Sequence, residues 1–286
     1  MAKYGIREIC DVVFKAKKDN QTVGSKSFMK GEPVIYFDTL KTSSLEGAAT
    51  TVYATGGKGN PRLIAWDGER TLTFNMEDAL ISPMGLAILT GAGLIDANDE
   101  GATVYRHVTQ RLKAGDQGAV TFVDEKGKAL TPASGKPIWF GVVDGEGDLP
   151  EKLTKAETAA AVKGTKAGDY VFVDYYLEEK GTARKVTQVD IEPGKFSGSF
   201  YIEGSTLWRD TEGVDHPVEI VIPNGKVQSN FTFTMANSGD PSTFNFVVDA
   251  LADYTAFDLG KKVLCCMQIV GDEIAAEDDA NGEDEE

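Results

Sequence analysis

Between Phe196 and Leu251 the apolar residues recur two apart, a spacing that strands satisfy and helices do not. Phe196, Phe200 and Ile202 share one parity, as do Val218, Ile220 and Ile222, then Phe231, Phe233 and Met235, then Phe244, Phe246 and Val248. Successive side chains of a strand point to opposite faces, so the pattern predicts four strands, each burying one face. The connections carry matching chemistry. Asn224-Gly225 is the pair that takes positive φ in a type I′ hairpin, and Ser238-Gly239-Asp240-Pro241 predicts a second turn with Pro241 outside the ladder. An antiparallel meander follows, in which Phe231, Phe233, Phe244 and Phe246 are expected to face one interior. The opposite parity holds Gln228, Asn230, Thr232, Thr234, Thr243 and Asn245. These are not the lysines that blunt exposed sheet edges, and they suit packing against neighbours.

The totals bound the partners. A chain of 286 residues is read as one core domain with an embellishment. Its formal charge of −16 argues against a nucleic-acid binder, which would present a basic stripe to phosphates. The three cysteines, Cys10, Cys265 and Cys266, are odd in number and two are adjacent, so no disulfide framework is indicated and a reducing compartment is the simpler reading. MAKYGIREIC has no apolar signal-peptide region, and no apolar run nears 18 residues, so neither secretion nor membrane insertion is expected. Asn20-Gln21-Thr22 and Asn230-Phe231-Thr232 match the glycosylation pattern and, without a signal peptide, are taken as chance.

Along the chain, Ile9 to Ala16 reads as a first strand and Gln21 to Gly31 as a polar loop or arm in a mildly basic stretch that ends at Lys41. Val34 to Phe37 and Thr50 to Tyr53 are strand-like. Ala54 to Pro61 (ATGGKGNP) reads as a flexible tip before Arg62 to Trp66, and Asp67-Gly68 as a tight turn into Thr71 to Phe74. Ser82 as N-cap, Pro83 at the first helical position and Gly91 or Gly93 at the end predict a short apolar helix lying against the sheet. From Val104 to Val189 strand-like runs appear at Val104 to Val108, Ala119 to Val123, Pro137 to Val143, Tyr170 to Leu177 and Arg184 to Ile191. Thr154 and Glu157 form a capping box for a helix over Ala156 to Val162. The domain reading is a discontinuous core over 1–111 and 194–270, an insertion over 112–193, and an acidic tail over 271–286 expected to lack structure.

Catalytic chemistry finds little support, and no enzyme and no cofactor are expected. Gly56-Gly57-Lys58-Gly59 lacks the spacing and following helix of a phosphate loop. His107 and His216 are the only histidines, with no Cys or His at ligand spacing, so no metal site is expected; His216 reads as a turn residue beside Asp215. Asp144, Glu146 and Asp148 alternate as in a calcium loop, but the twelfth position is Lys155. Cys265 and Cys266 lie in an alternating run, one facing in and one out. Trp66 and Trp208 adjoin turns and read as packing or interface residues.

Three stretches in this order, WDGERTLTFNMEDALISPMGLAILTGAG (Trp66 to Gly93), GSFYIEGSTLWRDTEGVDHPVEIVIPNGKVQSNFTFTM (Gly198 to Met235) and SGDPSTFNFVVDAL (Ser238 to Leu251), follow the glycine-tipped hairpin. Together they resemble a bacteriophage tail tube protein, the major tail protein of a long-tailed phage, over roughly residues 1 to 110 and 195 to 271. The resemblance implies a mainly β fold, two packed antiparallel sheets forming a sandwich or barrel with one flanking helix. Here it would carry an inserted β-rich elaboration containing a short helix. It implies homohexameric rings stacked into a hollow tube for genome passage. Its partners would be copies of itself and other tail proteins such as sheath, baseplate or tail terminator, with DNA passing unbound and no membrane. The virion tail is the expected location after synthesis in the host bacterial cytoplasm. Tyr53, Gly56, Gly57, Lys58, Gly59, Leu63 and Trp66 are then the candidate inter-subunit contacts, on a loop expected to order between neighbours. The alternatives are a capsid decoration or baseplate protein, or a virion-borne glycan- or receptor-binding module.

Overall fold

The computed structural model describes residues 3–143, 149–181, 185–235, 237–239 and 242–271. Period-2 patterning sets most of the strands. β1 (Tyr4–Ile6) is followed by β2 (Asp11–Ala16), which buries Val12, Phe14 and Ala16 on one side. The segment expected as a loop is instead a small hairpin, β3 (Gln21–Val23) and β4 (Lys26–Phe28), turned at Gly24 with φ of 62°. β5 (Pro33–Phe37), β6 (Leu40–Thr55) and β7 (Arg62–Asp78) follow, then α1 (Pro83–Thr90) and β8 (Gly93–Asp96). β9 (Val104–Lys113), β10 (Ile138–Val143), β11 (Thr154–Ala156) and β12 (Tyr170–Glu179) form a separate group. The chain closes with β13 (Thr187–Asp190), β14 (Ser199–Asp210), β15 (Asp215–Val227), β16 (Phe244–Ala250) and β17 (Cys266–Ile269).

These elements make two compact units, Met1–Gly93 with Val189–Glu286, and Leu94–Gln188. The expected boundary at Leu112 falls inside β9. In the first unit one antiparallel sheet runs β5-β2-β14-β15-β16-β7-β6, with β1 added to β14 and β17 to β15. It curls over its core in the manner of a sandwich and does not close into a barrel. Phe14, Phe200, Ile202, Ile222, Phe246 and Met76 are buried in that core. Helix α1 begins as the sequence predicts: Ser82 Oγ accepts a hydrogen bond from the Gly85 N–H at 3.0 Å, satisfying a donor the helix itself leaves free. It ends on Gly91 in the left-handed conformation, and Ala87, Ile88 and Leu89 are buried.

Three local expectations fail here because long-range pairing overrides them. Asn224-Gly225 makes no hairpin turn; both residues lie inside β15, where Gly225 is paired with Phe200 on one side and Ala250 on the other. Glycine serves there for close approach, since a Cβ would come 2.5 Å from Ile202 Cδ1 and 2.7 Å from Val248 Cγ1. Phe231 to Met235 form no strand. The edge of β15 they would occupy is taken by β16 and β17, and Met235 is 93% exposed. Of the four phenylalanines expected in one interior, only Phe246 is buried. The other three form a partly exposed stack, with ring centroids 4.9 Å apart from Phe231 to Phe233 and 5.2 Å from Phe233 to Phe244. Asp67-Gly68 also makes no turn. β7 continues through it, with Gly68 and Glu69 bulging opposite Thr50, whose Oγ1 accepts from the Glu69 N–H at 2.9 Å.

The second unit is a four-stranded antiparallel sheet, β11-β10-β12-β9. One face packs Val171, Val173, Tyr175 and Leu177 against Leu112 and Ile138, with Phe122 meeting Tyr175 edge-on at 4.9 Å. The helix expected over Ala156 to Val162 is replaced by β11 and a single 3-10 turn at Ala159–Ala161. Burial of Ala156 opposite Ile138 on β10 outweighs the capping signal. Ala119 to Val123 contributes isolated bridges rather than a strand. The Asp144 to Asp148 cluster, Asp240-Pro241 and the acidic tail lie outside the described residues.

Candidate assembly surfaces

β6 and β7 are 16 and 17 residues long and pair almost throughout. At their base Leu40, Phe74 and Met76 are buried. Beyond it, from Glu46 to Arg70, no side chain is buried on either face. Ten residues of strand from Glu46 to Thr55 span about 30 Å at the usual rise, so half of the hairpin projects without a core of its own. At the tip the Gly56 N–H donates to the Pro61 carbonyl at 3.2 Å and the Asn60 N–H to the Gly57 carbonyl at 3.1 Å. Gly57 and Gly59 take φ of 82° and 84°, which side chains rarely adopt, and Lys58 sits exposed between them.

The candidate contact residues all lie on this hairpin, but on different faces. Trp66 is opposite Val52, and Ile64 opposite Ala54, so Val52, Ile64 and Trp66 form one apolar strip. Their exposures are 62%, 55% and 52%, high for residues this apolar. Tyr53 points to the other face, where the Arg62 guanidinium lies 4.1 Å from its ring centroid. Leu63 falls at the register shift between those faces and leans toward Gly56. Val52 and Ile64 were missed in the sequence reading because a run such as TTVYAT shows no parity preference until its partner strand is known.

Among the described residues the sheet also ends in two unlike edges that no further strand covers. β6 ends the strand order on one side and β5 on the other. Over Leu40 to Thr55 the only charged residues are Lys41 and Glu46, little protection for an edge of that length. Tyr36 on β5 is 54% exposed, and its hydroxyl donates to Asp11 Oδ2 at 3.1 Å.

Elsewhere the polar groups are structural. His216 is not a turn residue: it is a buried member of β15, its Nε2 2.9 Å from Asp210 Oδ2 and its ring edge-on to Tyr4 at 5.4 Å. Strand pairing puts it opposite Trp208, one residue from the loop that Asp210 organises. The hydrogen bond from His216, helped by the Val214 N–H, holds the Asp210 carboxyl below the usual range. Arg209 grips Asp215 through Nε and Nη2 at 2.7 and 2.6 Å, which holds that carboxyl low as well. Burial pushes the Cys265 thiol up to about 11, the opposite of what a nucleophilic cysteine needs. Cys265 and Cys266 are both half-buried, and Cys10 is buried. Among the described residues, no three His, Cys, Asp or Glu side chains gather into a group that would hold a metal ion. Among the described residues, no helix is long and apolar enough to cross a membrane.

The class so described is a structural β protein whose distinctive surfaces are strand edges and a projecting hairpin. Residues 5–263 match the YomU/Tube protein family, and the chain belongs to that family, one of phage tail tube proteins. No curated protein matches it. The family makes the chain a structural component of the phage tail.

Proposed function

We propose that this chain assembles into hexameric rings that stack into the hollow tube through which the phage genome leaves. The observation that carries this reading is the hairpin, whose distal half exposes Val52, Ile64 and Trp66 and has no core of its own. Ordering such a segment costs free energy that its own contacts do not return, so a neighbouring subunit is the natural source of the missing burial. Tyr53, Gly56, Gly57, Lys58, Gly59, Leu63 and Trp66 supply that contact, bridging one ring to the next.

Ring closure is supported by the unlike edges of the sheet. An interface joining β5 of one copy to β6 of another is head-to-tail, and such contacts generate a ring when the rotation closes. Sixfold closure follows the family resemblance. The charge of −16 suits a conduit, since an acidic lining repels phosphates and lets DNA pass without sticking. In this reading the subunit is not an enzyme, and the second unit, Leu94–Gln188, is an elaboration of the first. The sheath, baseplate and tail terminator proteins are its further partners.

Electron microscopy of concentrated protein tests the assembly, with sixfold rings or tubes expected. A variant joining Ala54 to Pro61 through two glycines should fold and fail to form long tubes. Normal tubes from that variant would overturn the role given to the hairpin.

A further inference from the structure

Residues 231–235 have needs that the subunit itself does not meet. Phe231, Phe233 and Met235 alternate with Thr232 and Thr234, the pattern of a strand with one apolar face, yet the segment belongs to no ladder. Its main chain is open. Among the described residues, the one partner of its N–H and carbonyl groups is Ser242, whose Oγ donates to the Thr234 carbonyl. Its apolar face is open too, with Phe231 37% and Met235 93% exposed. The rings continue the core outward. Phe37 lies 4.9 Å from Phe246, Phe244 stands two residues earlier on the same strand, and Phe233 and Phe231 follow at 5.2 and 4.9 Å. An aromatic row buried at one end and bare at the other marks a surface that another surface covers.

The cover has to supply main-chain donors and acceptors along the segment as well as apolar contact. A strand edge offers both, whereas a helix has already paired its main chain. The edge also has to be free of charge, because residues 228–239 contain no Asp, Glu, Lys or Arg to compensate one. This chain has such an edge. β6 is paired among the described residues with β7 alone, and residues 47–55 carry no charge. In the ring contact proposed above, β5 would cover five of the sixteen residues of β6 and leave most of the edge open.

We infer that residues 231–235 add a strand to the projecting part of β6, residues 47–55, of a second copy of this chain. The pairing rests on the self-assembly proposed above and names what the projecting hairpin meets. Within one copy β7 stands between β6 and β16, the strand into which the segment leads, so the edge is taken on a neighbour. Threonines stand on both strands, Thr232 and Thr234 on one and Thr50 and Thr51 on the other, and such residues pair favourably across a ladder.

Hydrogen–deuterium exchange on the full chain, read by mass spectrometry in the dilute subunit and in the assembled protein, tests the pairing. Amides of residues 231–235 should exchange unprotected in the subunit. On assembly they and those of residues 47–55 should slow at least about tenfold. Alternate N–H groups of a strand point to opposite sides, so Thr232→Pro and Met235→Pro each remove a donor from one side. Neither N–H has a partner among the described residues, so both variants should melt as the parent does, and at least one should fail to assemble. If either proline lowers the melting temperature, Thr232→Asp replaces it, with loss of assembly again expected. Assembly of the parent with residues 231–235 unprotected, or normal assembly of both variants, would overturn the inference and leave the tube reading standing. Protection of the segment in the dilute subunit would overturn it as pairing within one copy, and protection without residues 47–55 as pairing with another edge. Failure of the parent to assemble at any concentration would overturn the tube reading and this inference together.

Discussion

The ring of Phe37 lies 4.9 Å from that of Phe246, although their strands, β5 and β16, stand four places apart in the sheet order. The contact exists because the sheet curls, so that its first strand packs over its fifth. Phe14 continues the cluster, 5.2 Å from Phe37 and 5.5 Å from Phe200. Removing Phe246 should therefore undo the packing of strands far apart in sequence. Phe246→Ala is expected to cost about 3–5 kcal/mol, and half-exposed Phe233→Ala about 1 kcal/mol. Urea denaturation of the two variants measures the difference, and equal costs would place Phe233 in the same core.

Gly91→Ala is expected to destabilise the first unit. The residue has φ of 71°, and a Cβ there would come 2.3 Å from the carbonyl carbon of Phe196, a backbone atom that cannot swing aside. Strain alone costs about 1–3 kcal/mol, and the clash adds to it. Gly93→Ala, with nothing within 4 Å of its Cβ position, is the control. A pair of thermal melts compares them, and indistinguishable transitions would contradict the assigned contact.

Stability should fall in acid. Asp210, Asp215, Asp169 and Asp253 are each held below their ordinary value of 3.8, and Glu77 below 4.5, chiefly by side-chain hydrogen bonds. A carboxyl whose folded value is depressed stabilises the fold fully above its unfolded value and loses that contribution as pH falls through the folded one. Melting temperature should thus be flat from neutrality down to about pH 5 and drop below about pH 4. In Asp210→Asn the drop should be shallower, because one of the titrating groups is gone.

Trp66→Glu should leave the isolated subunit as stable as the parent, because Trp66 and its partner Val52 touch no core. Surface changes of this kind stay within about 0.5 kcal/mol. Tube formation, followed by electron microscopy, should be lost, since the charge would have to be buried against a neighbour. Intact tubes would remove Trp66 from the interface.

A chain ending at Gly271 should keep its cooperative melting transition. β17 ends at Ile269, and the Val270 N–H already closes its bond to the Pro217 carbonyl at 2.9 Å. Nine of the fifteen residues removed are Asp or Glu and none is Lys or Arg, so the formal charge would move from −16 to −7. Loss of the transition in calorimetry would show that the tail is structural.

The β character, the flanking helix with its Ser82 and Gly91 caps, and the glycine-tipped hairpin were all legible in the sequence. Each depends on something local: the parity of side chains along one strand, a hydroxyl three residues from an N–H, a φ that glycine takes freely. The buried parity of β2, β14 and β16 follows from the same alternation and holds in the structure.

Only the tertiary structure decided which strands have partners, and most of the corrections come from that. Asn224-Gly225 and Asp67-Gly68 carry strong turn signals, yet both lie in strands whose ladders run across them, because backbone pairing along a whole strand outweighs a local turn preference. Phe231 and Phe233 alternate as well as any strand, but the edge of β15 was already filled. The apolar strip of Val52, Ile64 and Trp66 depends on register between strands. Sequence period specifies which residues share a face of one strand. Which faces adjoin is set by hydrogen-bond pairing between segments dozens of residues apart, and no local pattern encodes that.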